Sequence, residues 1–304
     1  MGGGRRAARA GGPTRGEGGI IQEAPRPGDR RPQEEQERKP VAQKTEAESR
    51  LPPSGSVIYK AIYQQGENEL RRTSLSLAWS ALAAGLSMGF SLATEGLLSS
   101  CLPDAPWAPL ISKLGYGMGF VIVVLGSQQL FTENTLTVML PRLARKDKST
   151  LMNVLRLWGI VLTANLLGAF VFAWAAGNTP LFTAELQESF RSIGRHSFEH
   201  GFGTTTLRGV TAGWIIALMV WLLPFGESAR LWIVLILAWL IGVLGAPHVV
   251  AGSVDAFYLV ASGERSFGEC VTRHVAPALL GNMLGGVSLV AAFGHAQFSR
   301  TLRD

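Results

Sequence analysis

Four polar residues interrupt long apolar stretches of this chain: Thr132, Asn165, His248 and Asn282. His248 lies in Gly245-Ala246-Pro247-His248-Val249-Val250-Ala251-Gly252-Ser253. Burying a charge in apolar surroundings is unfavourable, so an ionisable side chain there is a functional candidate. Histidine titrates near neutral pH and can exchange a proton with a weak acid. The competing role is structural, an imidazole bonded to a free carbonyl. Thr132 lies in Gly126-Ser127-Gln128-Gln129-Leu130-Phe131-Thr132-Glu133-Asn134-Thr135. Its hydroxyl can donate to an anion or cap a helix that starts there, whose N–H groups also favour an anion. Asn165 and Asn282 can bond either loop backbone or a solute, and polar side chains also join helices inside membranes. Glu95, Glu133 and Asp255 stand in or beside apolar runs as relay candidates. His196, His200, His274 and His295 fall in loops or at run ends and rank below His248.

Enzyme chemistry has no foothold in this pattern. The chain shows no nucleophile–base pair, no metal-ligand cluster and no cofactor loop. Gly168, Gly281, Gly285 and Gly286 read as close helix contacts, since no nucleotide-binding glycine motif follows a strand. Cys101 and Cys270 match no metal spacing and read as unpaired. No cofactor and no metal are expected.

The elements that position these residues follow from composition. The chain has 304 residues, 47% hydrophobic and 16% charged, with the apolar residues gathered into runs long enough to cross a bilayer. Six spans are expected, at about 74–101, 110–142, 150–177, 203–224, 229–262 and 270–294. Spans two and five exceed the roughly 20 residues a crossing needs. Each carries a break, near 126–135 and 245–253, so each reads as two half-helices. Ala164-Asn165-Leu166-Leu167-Gly168-Ala169 is echoed by Gly281-Asn282-Met283-Leu284-Gly285-Gly286. Two copies of three spans, each with a broken helix, describe an inverted repeat with a transport site at its interface. The fold class expected is an all-α membrane protein.

Arg71, Arg72, Arg142, Arg145, Lys146, Lys148, Arg300 and Arg303 then share one side, which the positive-inside rule makes cytoplasmic, with both termini. Residues 56–72 read as an amphipathic interfacial helix with Val57, Ile58, Ala61 and Ile62 on its apolar side. Residues 73–295 form the channel domain and 296–304 a cytoplasmic tail. Residues 1–55, rich in Gly, Arg, Pro and Glu, read as disordered and solvated, attracted to anionic membrane lipid rather than to nucleic acid. They hold no apolar stretch of the secretory-signal kind.

Leu130-Phe131-Thr132, His248, and the two asparagine contexts, in this span order, resemble the formate/nitrite transporter family over about 56–295. Within it the chain is similar to the YfdC-type inner-membrane branch. The resemblance implies an aquaporin-like protomer, a homo-pentamer with one pore per protomer, and a bacterial inner-membrane location. It implies small monovalent weak-acid anions, or their conjugate acids, and protons as what passes. It assigns Leu130, Phe131 and Phe120 to a cytoplasmic-side constriction and Tyr116, Ile216 and Ile241 to an outer one. Thr132 and His248 would face the chamber between. Several positions depart from the family pattern. Pro247 replaces a glutamate, Gly252 and Gly213 replace asparagines, Glu133 replaces a small residue, and Ser197 stands roughly where a vestibule lysine is usual. The function expected is an anion channel or transporter with proton exchange at His248. The alternatives are a neutral-solute channel of the same fold, and a non-transporting membrane scaffold or sensor.

Overall fold

The computed structural model describes residues 54–289, so the readings of 1–55, 290–295 and 296–304 lie largely or wholly outside the described residues. Every regular element among the described residues is helical. In chain order they are α1 (Gly55–Arg71), α2 (Ser74–Cys101), α3 (Ala108–Leu125), α4 (Phe131–Thr137), α5 (Met139–Arg145), α6 (Lys148–Asn178), α7 (Ala184–His196), α8 (Phe202–Leu222), α9 (Arg230–Val243), α10 (Ala251–Ala261), α11 (Phe267–Cys270) and α12 (Ala276–Leu289). A π turn, Val271–Val275, joins the last two. Four helices are long and apolar enough to cross a membrane: α2, α3, α6 and α8 with its following turn. The chain is a multi-pass membrane protein.

Local chemistry explains several boundaries. Thr73 caps α2 by accepting from Ser76 N–H, and Asp147 caps α6 by accepting from Thr150 N–H. Ser266 and Glu269 form a reciprocal capping box at α11. Both predicted breaks are shorter than the sequence pattern implies, because helix resumes at Phe131 and at Ala251. Thr132 therefore stands in the first turn of α4 rather than in the break. Leu130 is the N-cap residue, and no side chain caps that helix. The apolar side of α1 also differs from the expected set. Val57 is 54% exposed, whereas Ile58, Tyr59 and Ile62 are buried against Leu136, Leu140, Ala217 and Val220. One cause is Gly66, where a methyl group would fall 2.2 Å from the Thr137 carbonyl oxygen, which sets the rotation of α1 over α4.

Two helix pairs form the core, α2 with α6 and α8 with α12. A methyl group on Gly85 would fall 2.1 Å from the Asn165 carbonyl oxygen, and one on Gly168 would fall 2.5 Å from that of Leu82. In the other pair the same relation holds between Gly213 and the Asn282 carbonyl (2.3 Å) and between Gly285 and that of Val210 (2.1 Å). Small residues let helix backbones approach this closely inside membranes. Gly213 is thus fixed by packing, and an asparagine there would force α8 and α12 apart.

Candidate functional site

The site is built where the two broken helices meet. α3 ends with Ser127 in the left-handed region (φ 51°), and Gln128 N–H reaches back to the Val123 carbonyl at 2.9 Å. α9 ends with Gly245 in the same region (φ 56°), and Ala246 N–H reaches the Ile241 carbonyl at 3.1 Å. Both are Schellman-type stops that satisfy carbonyls left open by the helix end. Ser127 holds this geometry without glycine's freedom, an uncommon conformation for a side-chain-bearing residue.

Each break is then held by one asparagine. Asn165 accepts from Phe131 N–H (2.9 Å) and donates to the carbonyls of Ala81 (2.7 Å) and Gln129 (2.9 Å). Asn282 accepts from Val249 N–H (2.8 Å) and donates to the carbonyls of Gly209 and Pro247, both at 2.9 Å. The two sets match atom for atom. The bonds to Phe131, Gln129, Val249 and Pro247 satisfy break backbone groups that would otherwise stand unpaired in an apolar interior, and those to Ala81 and Gly209 tie each break to a neighbouring helix. Between backbone and solute, the amide groups of both asparagines are engaged by backbone.

His248 is fully buried, and both ring nitrogens are engaged. Nδ1 accepts from Ala251 N–H at 3.1 Å, so in the neutral ring the hydrogen belongs on Nε2. Nε2–H donates to Thr132 Oγ1 at 2.8 Å. Thr132 keeps its own hydroxyl hydrogen, for which no other acceptor stands within bonding distance among the described residues. The Phe120 ring meets the imidazole edge-on at 5.0 Å and Tyr116 meets Phe120 at 5.5 Å.

A cavity of about 580 Å³ opens on this histidine. Tyr116, Ile241 and His248 line it, with Glu95, Lys113 and Asp255 in its walls. His196, His200 and Arg208 also border it. Phe120, Leu130, Phe131 and Ile216 are buried outside this cavity, and Phe131 packs edge-on against Trp158 at 5.9 Å. Glu95 is 3% exposed and pairs with Lys113 of α3. Glu133, next to Thr132, has one carboxylate oxygen enclosed without a partner. No group of three or more metal-ligating side chains is placed to hold an ion among the described residues.

Sequence reasoning did not single out Arg208 and ranked His274 low. Arg208 binds His200 and the Leu244 carbonyl (2.8 Å), and no carboxylate lies within 4 Å of it among the described residues. A lone arginine in the apolar run 203–224 was the available signal. His274 is 2% exposed and faces the same cavity. Its clue was weaker, since only the fold brings it beside Gly252.

A family model described as formate/nitrite transporter matches residues 56–296. The chain is similar to the inner membrane protein YfdC of Escherichia coli (strain K12), 39% identical over 257 residues, covering 84% of this chain and 83% of that protein. A solved FNT family ion channel aligns with TM-score 0.66 at 18% identity, over 79% of this chain and 98% of its own. A pentameric formate channel with formate bound aligns with TM-score 0.64 at 19% identity, over 73% of this chain and 96% of its own.

Proposed function

We propose a function from one premise: this chain belongs to the formate/nitrite transporter family. Its protomer crosses a bacterial inner membrane six times as two inverted three-helix repeats, with α3–α5 and α9–α10 as the broken spans and an aquaporin-like path between them. α1 lies at the cytoplasmic interface, both termini are cytoplasmic, and five protomers assemble with one pore each. The solutes are small monovalent weak-acid anions of the formate, nitrite or acetate kind. The matched hydrogen-bond sets of Asn165 and Asn282 support the repeat.

The observation that carries the reading is His248, which lines the cavity and holds the Thr132 hydroxyl behind it. The anion accepts the free hydroxyl hydrogen of Thr132. Carrying it as an ion past Leu130, Phe131 and Phe120 on one side, or Tyr116, Ile216 and Ile241 on the other, is unfavourable by several kcal/mol or more. Proton transfer from or through His248 converts it to the neutral acid, which crosses readily. Glu133, Glu95 and Asp255 are relay candidates that return the proton. Asn165 and Asn282 keep the two half-helix starts at the spacing the path needs.

A second reading, a channel for neutral solutes, is favoured by Glu133 beside Thr132, one of whose carboxyl oxygens is enclosed without a partner and whose anionic form would oppose an anion. Osmotic swelling of proteoliposomes separates the two. Formate-driven swelling that rises with acid supports the proton-exchange channel. Swelling by formamide or glycerol at a rate independent of pH supports the neutral-solute reading instead.

A further inference from the structure

His274 sits on the π turn Val271–Val275, an irregularity found disproportionately at functional positions. Its Nδ1 lies 3.4 Å from the Ser197 carbonyl, which can only accept, so the hydrogen of the neutral ring belongs on Nδ1. Nε2 then carries a lone pair, is buried, and has no partner among the described residues. The ring fills the space left by Gly252, one helical turn after His248. A methyl group at Gly252 would fall 2.6 Å from Nε2 and 2.8 Å from Cε1. His274 and His248 line the same cavity, yet both nitrogens of His248 are occupied. The unoccupied basic nitrogen of this buried pair is therefore His274 Nε2.

We propose that His274 is a second proton-exchange group, placed at the cavity between the water outside and His248. This rests on the reading of the chain as a weak-acid channel. A hydronium ion from the outer solution gives its proton to Nε2, leaving water and an imidazolium. An anion drawn into the cavity then takes that proton. The N–H bond breaks, an O–H bond forms, neutral acid moves inward, and the ring is ready for the next proton. Other charged groups set the balance. Asp255 of α10 and Arg208 of α8 line the same cavity, and Arg208 and His248, when charged, oppose the imidazolium. From α2 and α3, Glu95 and Lys113 largely compensate each other, with Tyr116 beside them. His196, Glu199 and His200 border the cavity from the end of α7 and the following loop. On its own element, Arg273 turns away to the Phe198 carbonyl, and Glu269 pairs with Arg265.

The test is formate uptake into proteoliposomes as the outer pH falls from about 8 to about 5, for wild type, His274→Gln and Gly252→Asn. Both variants are expected to elute at the wild-type oligomer size and to lose about tenfold or more of the acid-stimulated uptake. Gly252→Asn acts by displacing the ring while keeping the histidine. Nitrogen NMR of ring-labelled wild-type protein provides a readout free of any folding defect. The His274 signal is expected as a bare Nε2 at neutral pH that gains a proton as the pH falls. Acid-stimulated uptake retained in His274→Gln, or an Nε2 that stays protonated or stays bare across the whole range, overturns the assignment while leaving the channel reading intact. Absence of formate uptake by wild type overturns the channel reading, and the assignment with it.

Discussion

Thr132 offers a clean separation of roles at the scale of single residues. Its hydroxyl accepts from His248 and keeps one hydrogen of its own, the one assigned to the anion in the proposed function. Thr132→Val removes both while preserving shape, and is expected to slow formate uptake about tenfold or more, the equivalent of the roughly 1.5–3 kcal/mol of a hydrogen bond to a charged group. Thr132→Ser restores most of the rate, as flux measured in proteoliposomes checks. The asparagines predict a different signature. Asn165→Ala leaves Phe131 N–H and the Gln129 carbonyl unpaired, at about 1–3 kcal/mol each, and breaks the tie to the Ala81 carbonyl of α2. A lower melting temperature in detergent is expected, with solute preference unchanged in whatever folds. Altered preference at an unchanged melting temperature contradicts the bracing role. His248 and Thr132 were legible in the sequence because polar groups inside apolar runs are conspicuous. His274 was not, since its significance depends on a glycine 22 positions away in the chain that only the fold sets beside it.

Glycines decide how the elements meet. Gly213→Ala places a methyl group 2.3 Å from the Asn282 carbonyl oxygen, and backbone cannot yield as a flexible side chain does. A loss of about 1–3 kcal/mol, the usual range for overpacking, is expected, seen as lower yield of assembled protein. Gly159, with nothing within 4 Å of an added methyl group, is the matched control, and Gly159→Ala should leave the yield unchanged. Helix capping adds a pH dependence. The backbone and side-chain hydrogen bonds from Thr150 hold the Asp147 carboxyl below its usual range. Its contribution is therefore present above the ordinary aspartate pKa and is lost as pH falls through the lower folded value. Asp147→Asn should flatten the acid limb of a melting-temperature profile. The four long apolar helices and the existence of both breaks could be read from hydropathy and from Pro247. The restart points could not, because they depend on Asn165 and Asn282 reaching Phe131 and Val249 across the bundle.

At the scale of the whole molecule, the apolar exterior is the main feature. Trp79, Phe90, Trp174, Trp232 and Leu284 are each about half exposed or more, which suits lipid or a neighbouring protomer rather than water. Native mass measurement in detergent is expected to give five copies. α1 is tied to the bundle by polar anchors. Glu67, 6% exposed, pairs with Arg145 at 2.6 Å, and Arg156 donates to the carbonyls of Leu70 and Arg72. These anchors were hidden in the sequence because each joins residues far apart in the chain, whereas the membrane class was plain from composition alone. The central claim is that a weak-acid anion crosses by exchanging a proton at His248. Formate uptake by proteoliposomes, measured against pH for wild type beside His248→Ala of the same oligomer size, tests it most directly. Uptake that rises with acid in wild type and collapses in the variant is predicted. A correctly assembled His248→Ala with the wild-type rate and an unchanged pH profile would contradict it.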